Sequence, residues 1–133
     1  MAELQTQSLS VRVGDVQVCH DLDLQIREGE SWCILGRNGT GKTTLLHTLA
    51  GLRTPDAGSI TLNGRSLAAQ PRRAVARQLG LLVQEHRDSF PASVMETALI
   101  GRHPYMGALQ WESHQDRRLA RQALQSVDLG DLE

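Results

Sequence analysis

The chain has 133 residues with a formal net charge of −1; hydrophobic residues make up 40% of it and aromatic residues 3%. This composition predicts a modest globular protein with an aliphatic core. The net charge of −1 argues against a nucleic-acid-binding protein, which usually carries a basic stripe. No apolar run is long enough to span a membrane, and the N-terminus lacks a signal-peptide pattern, so the sequence indicates a cytoplasmic protein.

The N-terminal residues predict antiparallel β-structure. Apolar and polar residues alternate over Leu9–Val13, Gly14-Asp15 offers a turn, and the alternation resumes over Val16–Ile26. Strands that alternate in this way keep one face in water, as antiparallel sheets allow. A β-hairpin is therefore predicted at the start of the chain.

Two later segments are continuously apolar instead of alternating. They are Trp32–Leu35 and Leu79–Val83. Short uninterrupted apolar runs are typical of strands covered on both faces of a sheet. Both segments are therefore predicted to be buried strands.

Helix and turn signals fill the region between these two runs. A helix is predicted over Thr43–Ala50, closed by Gly51, and a short strand at Ile60–Leu62 leads into a tight turn at Asn63-Gly64. Pro71 can open a second helix that reaches about Gln78. The apolar face of the first helix comprises Leu45, Leu46, Leu49 and Ala50.

The last third of the chain is predicted to be helical. A polar segment, His86–Ser93, predicts a linker, and Ser93 with Glu96 fits a capping box for a helix that ends near Ile100. A second helix is predicted to begin at Ser113. Its apolar stripe comprises Leu119, Ala120, Ala123, Leu124 and Val127.

The segment Gly36–Thr43 matches the phosphate-binding pattern G-x-x-x-x-G-K-[ST] at every fixed position. Its glycines let backbone amides approach a triphosphate, and the following helix directs its positive end at the phosphates. The alternative, a glycine-rich turn without a ligand, is disfavoured because the motif lies between a predicted strand and a predicted helix. The residues expected to bind the nucleotide are Gly36, Arg37, Asn38, Gly39, Thr40, Gly41, Lys42, Thr43 and Thr44.

Lysine is used once in this sequence, at Lys42, against 13 arginines. Lysine reaches the β- and γ-phosphates as a compact charge, a role that the planar guanidinium of arginine does not reproduce. The Thr43 hydroxyl is expected to ligate Mg²⁺, which takes a few protein oxygens together with water and phosphate oxygens.

Several segments in combination resemble the ATP-binding subunit of ABC transporters. They are Leu22–Glu30, Ile34–Leu46, Leu49–Leu52 and Gly58–Gly64, and the resemblance runs from about Leu9 to Leu132. It implies an α/β fold: part of a P-loop NTPase core with an N-terminal antiparallel β-hairpin region, and the start of an α-helical subdomain. The implied boundary divides residues 1–86 from residues 87–133.

The resemblance also implies roles for residues and partners. Gln84 stands where the family has its Q-loop glutamine, which would contact Mg²⁺ together with Thr43, sense the γ-phosphate and act in catalysis. An alternative reading of Glu85 as a Walker B carboxylate fits the family pattern less well. The implied cofactors are ATP and Mg²⁺. The implied partners are transmembrane permease subunits and a second ATP-binding subunit in a homodimer, on the inner face of the cell membrane.

A finer resemblance concerns the helical part. Gly101–Tyr105, together with Asp116 and its helix, is similar to importers of the iron-siderophore, haem and vitamin B12 type. The implied function is ATP hydrolysis coupled to the import of a metal chelate.

The sequence departs from the family pattern in two ways. Val13 occupies the position where the family usually has an aromatic residue that stacks on adenine. The signature motif, the Walker B strand and the switch histidine do not occur in these 133 residues, so this chain alone is expected to be inactive, with both apolar runs partly uncovered. A truncated, non-catalytic nucleotide- or partner-binding module is the alternative. A small kinase or GTPase is less supported, because no N-K-x-D segment is present.

Overall fold

A computed structural model describes residues 1–84, 92–107 and 109–130. The chain forms two compact units, Met1–Leu81 and Leu82–Glu133. The predicted boundary between residues 86 and 87 falls outside the described residues and stays a prediction. The predicted linker that begins at His86 also falls largely outside them.

The first unit is built on a four-stranded antiparallel sheet with the order β2-β1-β3-β4. The strands are β1 (Glu3–Val13), β2 (Val16–Arg27), β3 (Ala57–Leu62) and β4 (Arg65–Ser66). The predicted N-terminal hairpin is confirmed: β1 and β2 pair directly across the turn at Gly14, which has a φ of 56°.

One helix, α1 (Lys42–Leu49), packs on this sheet, and a short helix, α2 (Arg72–Ala76), follows after Pro71. Leu9 and Val11 of β1 are completely buried in the core that the sheet and helices share. Leu46, which was predicted to lie on the apolar face of α1, is 43% exposed, so that part of the prediction is wrong. The buried core comprises Leu9, Val11, Leu45, Leu49, Ile60, Leu62, Leu67 and Val75.

Tight turns close α1 and join β3 to β4, as predicted. After α1, Gly51 takes a φ of 74° and its amide donates to the carbonyl of Thr48 over 3.0 Å. The amide of Leu52 reaches the carbonyl of His47 over 2.9 Å, which completes a Schellman motif. Between β3 and β4, Asn63-Gly64 has positive φ at both residues, as a type I′ turn requires.

The two apolar runs do not form the buried strands that the sequence predicts. Neither Trp32–Leu35 nor Leu79–Val83 forms a strand, and Leu35 and Leu82 are 88% and 97% exposed. A strand covered on both faces needs hydrogen-bonded neighbours and a layer on each side. In the described ranges the four antiparallel strands pair with one another and offer these runs no neighbour. The expectation that both runs are partly uncovered is confirmed: Leu79 packs against the core, whereas Leu35 and Leu82 are exposed.

The described residues of the second unit, called here the helical unit, include the α-helices α3 (Val94–Ile100) and α4 (His114–Ser126). The capping box of Ser93 and Glu96 is confirmed, and α4 begins with a second capping box. Leu99 of α3 is buried, as are Ala120 and Leu124 of α4. None of the helices in the described ranges is long and apolar enough to cross a bilayer.

The predicted apolar stripe of α4 is wider than the face of the helix that is buried, so that part of the prediction is wrong. Ala123 is exposed and Val127 is 60% exposed, whereas Ala120 and Leu124 are buried. Within the residues that the structure describes, α4 packs mainly against one helix, α3, and a single neighbour covers only a narrow strip of a helix surface.

Candidate phosphate-binding site

The loop before α1 has the backbone of a glycine-dependent turn. Gly39 and Gly41 take φ values of 81° and 89°, in the left-handed region that side chains disfavour. A Cβ atom on Gly41 would lie 2.4 Å from a methyl carbon of Val18 on β2. Two separate constraints therefore require glycine at position 41: the left-handed dihedral angle and the close approach of the neighbouring strand.

Short-range hydrogen bonds hold the loop closed. The Thr40 hydroxyl donates to the carbonyl of Arg37 over 2.8 Å. A Cβ atom on Gly36 would lie 3.1 Å from the Thr40 hydroxyl oxygen, so the first and fifth residues of the motif are in close contact. Every residue from Gly36 to Thr40 is exposed, which leaves the loop accessible to a ligand.

The side chain of Lys42 folds back over the loop. Its Nζ donates to the carbonyls of Gly36 and Arg37, over 2.6 Å in both cases. The ammonium group is therefore fixed beside the loop by two hydrogen bonds that it can exchange for phosphate oxygens. No other lysine exists in the sequence to take this position.

The N-terminus of α1 adds donors to the same place. The first bond of the helix joins the amide of Leu45 to the carbonyl of Gly41 over 2.9 Å. The amides of Lys42, Thr43 and Thr44 precede it and have no partner within the helix. None of these three residues is acidic, so no carboxylate competes with an anion for the positive end of the helix.

The donor set fits a magnesium ion that arrives with a nucleotide. The hydroxyl of Thr43 offers one oxygen ligand on an exposed residue. The described residues contain no group of three or more His, Cys, Asp or Glu side chains that could hold a metal alone. Mg²⁺ usually keeps waters and phosphate oxygens, so one hydroxyl ligand is consistent with its chemistry.

The buried strand that the sequence predicts before Gln84 is not present. Gln84 is an exposed residue of the second unit, and no strand precedes it because Leu79–Val83 is not part of the sheet. Glu85 lies outside the described residues. Residues Gly36–Thr44 lie together in the loop and the first turn of α1. The role of Gln84 stays a prediction.

Val18 is a site residue that the sequence pattern does not predict. It borders Gly41 directly, yet in the sequence it is one apolar residue of an alternating strand. The register gives the only hint: Cys19 pairs with Val11 and Gln17 with Arg12, which leaves Val18 as the extra residue of a bulge.

A second polar cluster ties the helical unit together around Asp116. One carboxylate oxygen accepts from Nε of Arg102 over 2.9 Å, and the other accepts from the Ser113 hydroxyl over 2.6 Å and its amide over 3.0 Å. These hydrogen bonds lower the pKa of Asp116 to about 2. The bond from the Ser113 hydroxyl has the largest effect, and the bond from Arg102 has the next largest. The Arg102 guanidinium also lies 4.3 Å from the ring centre of Tyr105.

Comparison with known proteins decides the family. Residues 19–133 match the family model described as ABC transporter. The chain belongs to the ABC transporter family. The phosphate loop, α1 and the helical unit all lie within the matched part of this ABC protein.

Similar proteins carry names from metal-chelate import. The chain is 36% identical, over 132 residues, to a probable siderophore transport system ATP-binding protein of Bacillus subtilis, covering 99% of the chain and 48% of that relative. It is 37% identical to a hemin import ATP-binding protein of Pseudomonas entomophila, covering 97% of the chain and 49% of the relative. The chain thus spans about half the length of these relatives.

A solved structure supports the fold. A metal-chelate type ABC transporter in an inward-facing conformation superimposes with a TM-score of 0.79 at 25% sequence identity. The match covers 99% of this ABC protein and 48% of that chain. The expected α/β fold, a partial P-loop NTPase core, is confirmed.

Proposed function

We propose that this chain is the phosphate-binding half of an ABC ATPase that couples ATP hydrolysis to the import of a metal chelate. One observation carries the proposal: the Lys42 ammonium lies 2.6 Å from the Gly36 and Arg37 carbonyls, beside the free amides at the start of α1. A cation, unpaired amides and glycine backbone converge there, which is the chemistry that a triphosphate requires.

The substrate class follows from the relatives. The names of two relatives refer to siderophore transport and hemin import, and the superimposed structure is of metal-chelate type. The resemblance of Gly101–Tyr105 and Asp116 to importers of this type supports the same class. An iron-siderophore, haem or cobalamin complex is the proposed cargo.

The remaining parts of the machinery are proposed from the family. ATP binds with Mg²⁺ on Thr43, and Gln84 joins the metal and senses the γ-phosphate. Permease subunits in the membrane and a second ATP-binding subunit complete the transporter, which places this chain in the cytoplasm at the inner face of the membrane.

The chain alone is proposed to bind nucleotide without turning it over. Phosphoryl transfer to water needs a group that orients the water and further charge on the γ-phosphate. The described residues around the loop supply cations and amides, and the first turn of α1 has no carboxylate. A nucleotide- or partner-binding module without turnover is thus the second candidate function.

Binding of MgATP to the 133-residue chain, measured by isothermal titration calorimetry, tests the proposal. Lys42→Ala removes the only ammonium at the loop and is expected to abolish measurable binding. Lys42→Arg is expected to bind weakly, because the guanidinium does not replace a compact charge at this position. Arg65→Ala, which removes an exposed cation from β4, is the matched control and should bind like the unchanged chain.

Two results would contradict the proposal. Equal affinity of Lys42→Ala and the unchanged chain would place the nucleotide elsewhere. Steady release of phosphate from MgATP by the purified chain, above a Lys42→Ala background, would show that the chain carries a complete catalytic site.

A further inference from the structure

Four arginines of the first unit lie in a stretch of the chain that contains no acidic residue. No aspartate or glutamate occurs between Asp56 and Glu85. The whole chain has a net charge of −1, so the residues outside this stretch are net negative and the charge is unevenly distributed. All four arginines are exposed. We call them the arginine surface: Arg65, Arg72, Arg73 and Arg77.

Two side-chain hydrogen bonds hold the arginine surface together. Nε2 of Gln70, two residues before α2, donates to the carbonyl of Arg65 on β4 over 3.2 Å. Nδ2 of Asn63, in the β3–β4 turn, donates to Oε1 of Gln78, two residues after α2, over 2.7 Å. Both ends of α2 are therefore tied to β4 and its turn, and the charges of the two elements lie next to each other.

The acidic residue bonded to this turn does not neutralise the arginine surface. The amide of Glu3 donates to Oδ1 of Asn63 over 2.9 Å. Its carboxylate instead faces β2, where it lies 3.8 Å from Nε of Arg27. Among the described residues, no carboxylate forms an ion pair with Arg65 or Arg72. The charges of these two arginines are therefore available to an outside partner.

We propose that the arginine surface binds the anionic phosphate headgroups of a membrane. The inference rests on the proposed function for the position of the chain at the inner face of the membrane, where such headgroups are present. A guanidinium can donate two parallel hydrogen bonds to one phosphate. Each arginine close to an anionic membrane surface raises the affinity by about fivefold.

Other anionic partners fit the arginine surface less well. Proteins that bind single-stranded nucleic acid combine positive charge with aromatic side chains on which bases stack, and no Phe, Tyr or Trp occurs between Asp56 and Glu85. A small free anion is bound in a concave site with converging polar groups, whereas these four side chains are all exposed. An extended array of phosphates, as in a bilayer surface, matches dispersed exposed charges.

Co-sedimentation of the 133-residue chain with lipid vesicles tests the inference. The unchanged chain should bind vesicles made of equal parts of phosphatidylglycerol and phosphatidylcholine, and it should not bind vesicles of phosphatidylcholine alone. Binding should fall as salt rises from about 0.1 M to about 1 M, because the attraction is screened. Arg65→Gln/Arg72→Gln should lower the affinity for the mixed vesicles by about 30-fold, at about fivefold for each arginine.

A matched control separates the position of the charges from their number. Arg117→Gln/Arg118→Gln removes two exposed arginines from α4 and changes the net charge of the chain by the same amount. Its affinity for the mixed vesicles should fall by less than about threefold, because screened charges act over a short range. The single variants Arg65→Gln and Arg72→Gln, each expected to lose about fivefold, keep the test decisive if the double variant does not fold.

Four results would overturn the inference. Equal binding to vesicles of phosphatidylcholine alone would assign the contact to apolar residues, and equal losses in the two double variants would show that only net charge acts. Complete displacement from vesicles by inorganic phosphate would indicate a site for a free anion. Tighter binding to single-stranded DNA than to the mixed vesicles would indicate a nucleic-acid surface.

The proposed function fails on a different measurement. The arginine-surface variants should bind MgATP like the unchanged chain, because the nucleotide site is built on the phosphate loop and Lys42. Vesicle binding by a chain whose MgATP affinity is insensitive to Lys42→Ala would contradict the proposed function and leave the lipid contact in place. Normal MgATP binding without any vesicle binding would contradict only the lipid contact.

Discussion

The phosphate loop and the two apolar runs differ in what determines their structure. The hydrogen bonds of the loop join residues that are three to six positions apart in the chain. The runs Trp32–Leu35 and Leu79–Val83 are more apolar than the loop, yet Leu35 and Leu82 in them are almost fully exposed. The loop is held largely by hydrogen bonds between its own residues. An apolar run indicates only that a segment needs other residues packed over it, and those residues must come from elsewhere in the chain.

The largest expected effect is on the free energy of unfolding, and it distinguishes a buried leucine from an exposed one. Leu9→Ala removes a completely buried side chain and should lower the free energy of unfolding by about 2–5 kcal/mol. Leu82→Ala, at a leucine that is 97% exposed, is the matched control and should change it by less than about 0.5 kcal/mol. Urea unfolding followed by circular dichroism measures both. A large loss for Leu82→Ala would show that the second run is covered after all.

A somewhat smaller effect tests whether the loop is specified by its own backbone. Gly41→Ala puts a side chain at a φ of 89°, at a cost of about 1–2 kcal/mol, and against Val18. We expect MgATP affinity to fall by about 10-fold or more in a titration. The double variant Gly41→Ala/Val18→Ala removes the contact but not the dihedral cost, so binding should stay weak. Full recovery of MgATP affinity in the double variant would show that the contact with β2, and not the dihedral angle of Gly41, determines the loop geometry.

The parts of the molecule that the sequence predicts are those with local causes. The hairpin turn at Gly14, the turn at Asn63-Gly64 and the cap at Ser93 each depend on a few adjacent residues, and all three are present. The phosphate loop belongs to the same group. Its residue types fix its backbone, because few other residues tolerate the left-handed angles.

The parts that the sequence does not predict depend on distant partners. The pattern at Leu79–Val83 indicates a buried strand, but pairing requires a neighbour that no local signal identifies. The contact between Val18 and Gly41 arises from a bulge in β2, which alternation does not reveal. Val127 is exposed because the number of neighbours of α4 sets the width of its apolar stripe, and periodicity does not report that number.

Removing a helix cap should have a smaller effect, and one confined to its own unit. Ser113→Ala deletes the hydroxyl that accepts from the amide of Asp116, so α4 should lose about 1 kcal/mol of stability. Hydrogen exchange of α4 amides is the measurement, with amides of α1 as the internal reference. Equal acceleration in α1 would mean that the two units unfold together.

The smallest expected effect is a change in the acid sensitivity of the helical unit. The pKa of Asp116 in the folded chain is lowered from 3.8 to about 2 by Ser113 and Arg102. A lowered pKa means that the carboxylate stabilises the folded unit above about pH 4, and that this contribution is lost as the pH falls toward 2. Asp116→Asn does not titrate, so its stability should change less over that interval.

Circular dichroism at a series of pH values compares Asp116→Asn with the unchanged chain. Asp128→Asn is the control, because it removes an exposed carboxyl from the same unit. Parallel acid profiles for Asp116→Asn and the unchanged chain would show that the contacts of Asp116 do not persist in solution.

The position of the single lysine has a practical consequence. A protease that cuts after lysine has one target in this chain, the peptide bond between Lys42 and Thr43 in the first turn of α1. Cleavage there requires that the turn unwinds and that the ammonium leaves the carbonyls of Gly36 and Arg37. The rate of a single cut therefore reports how often the loop opens, and a bound triphosphate should slow it.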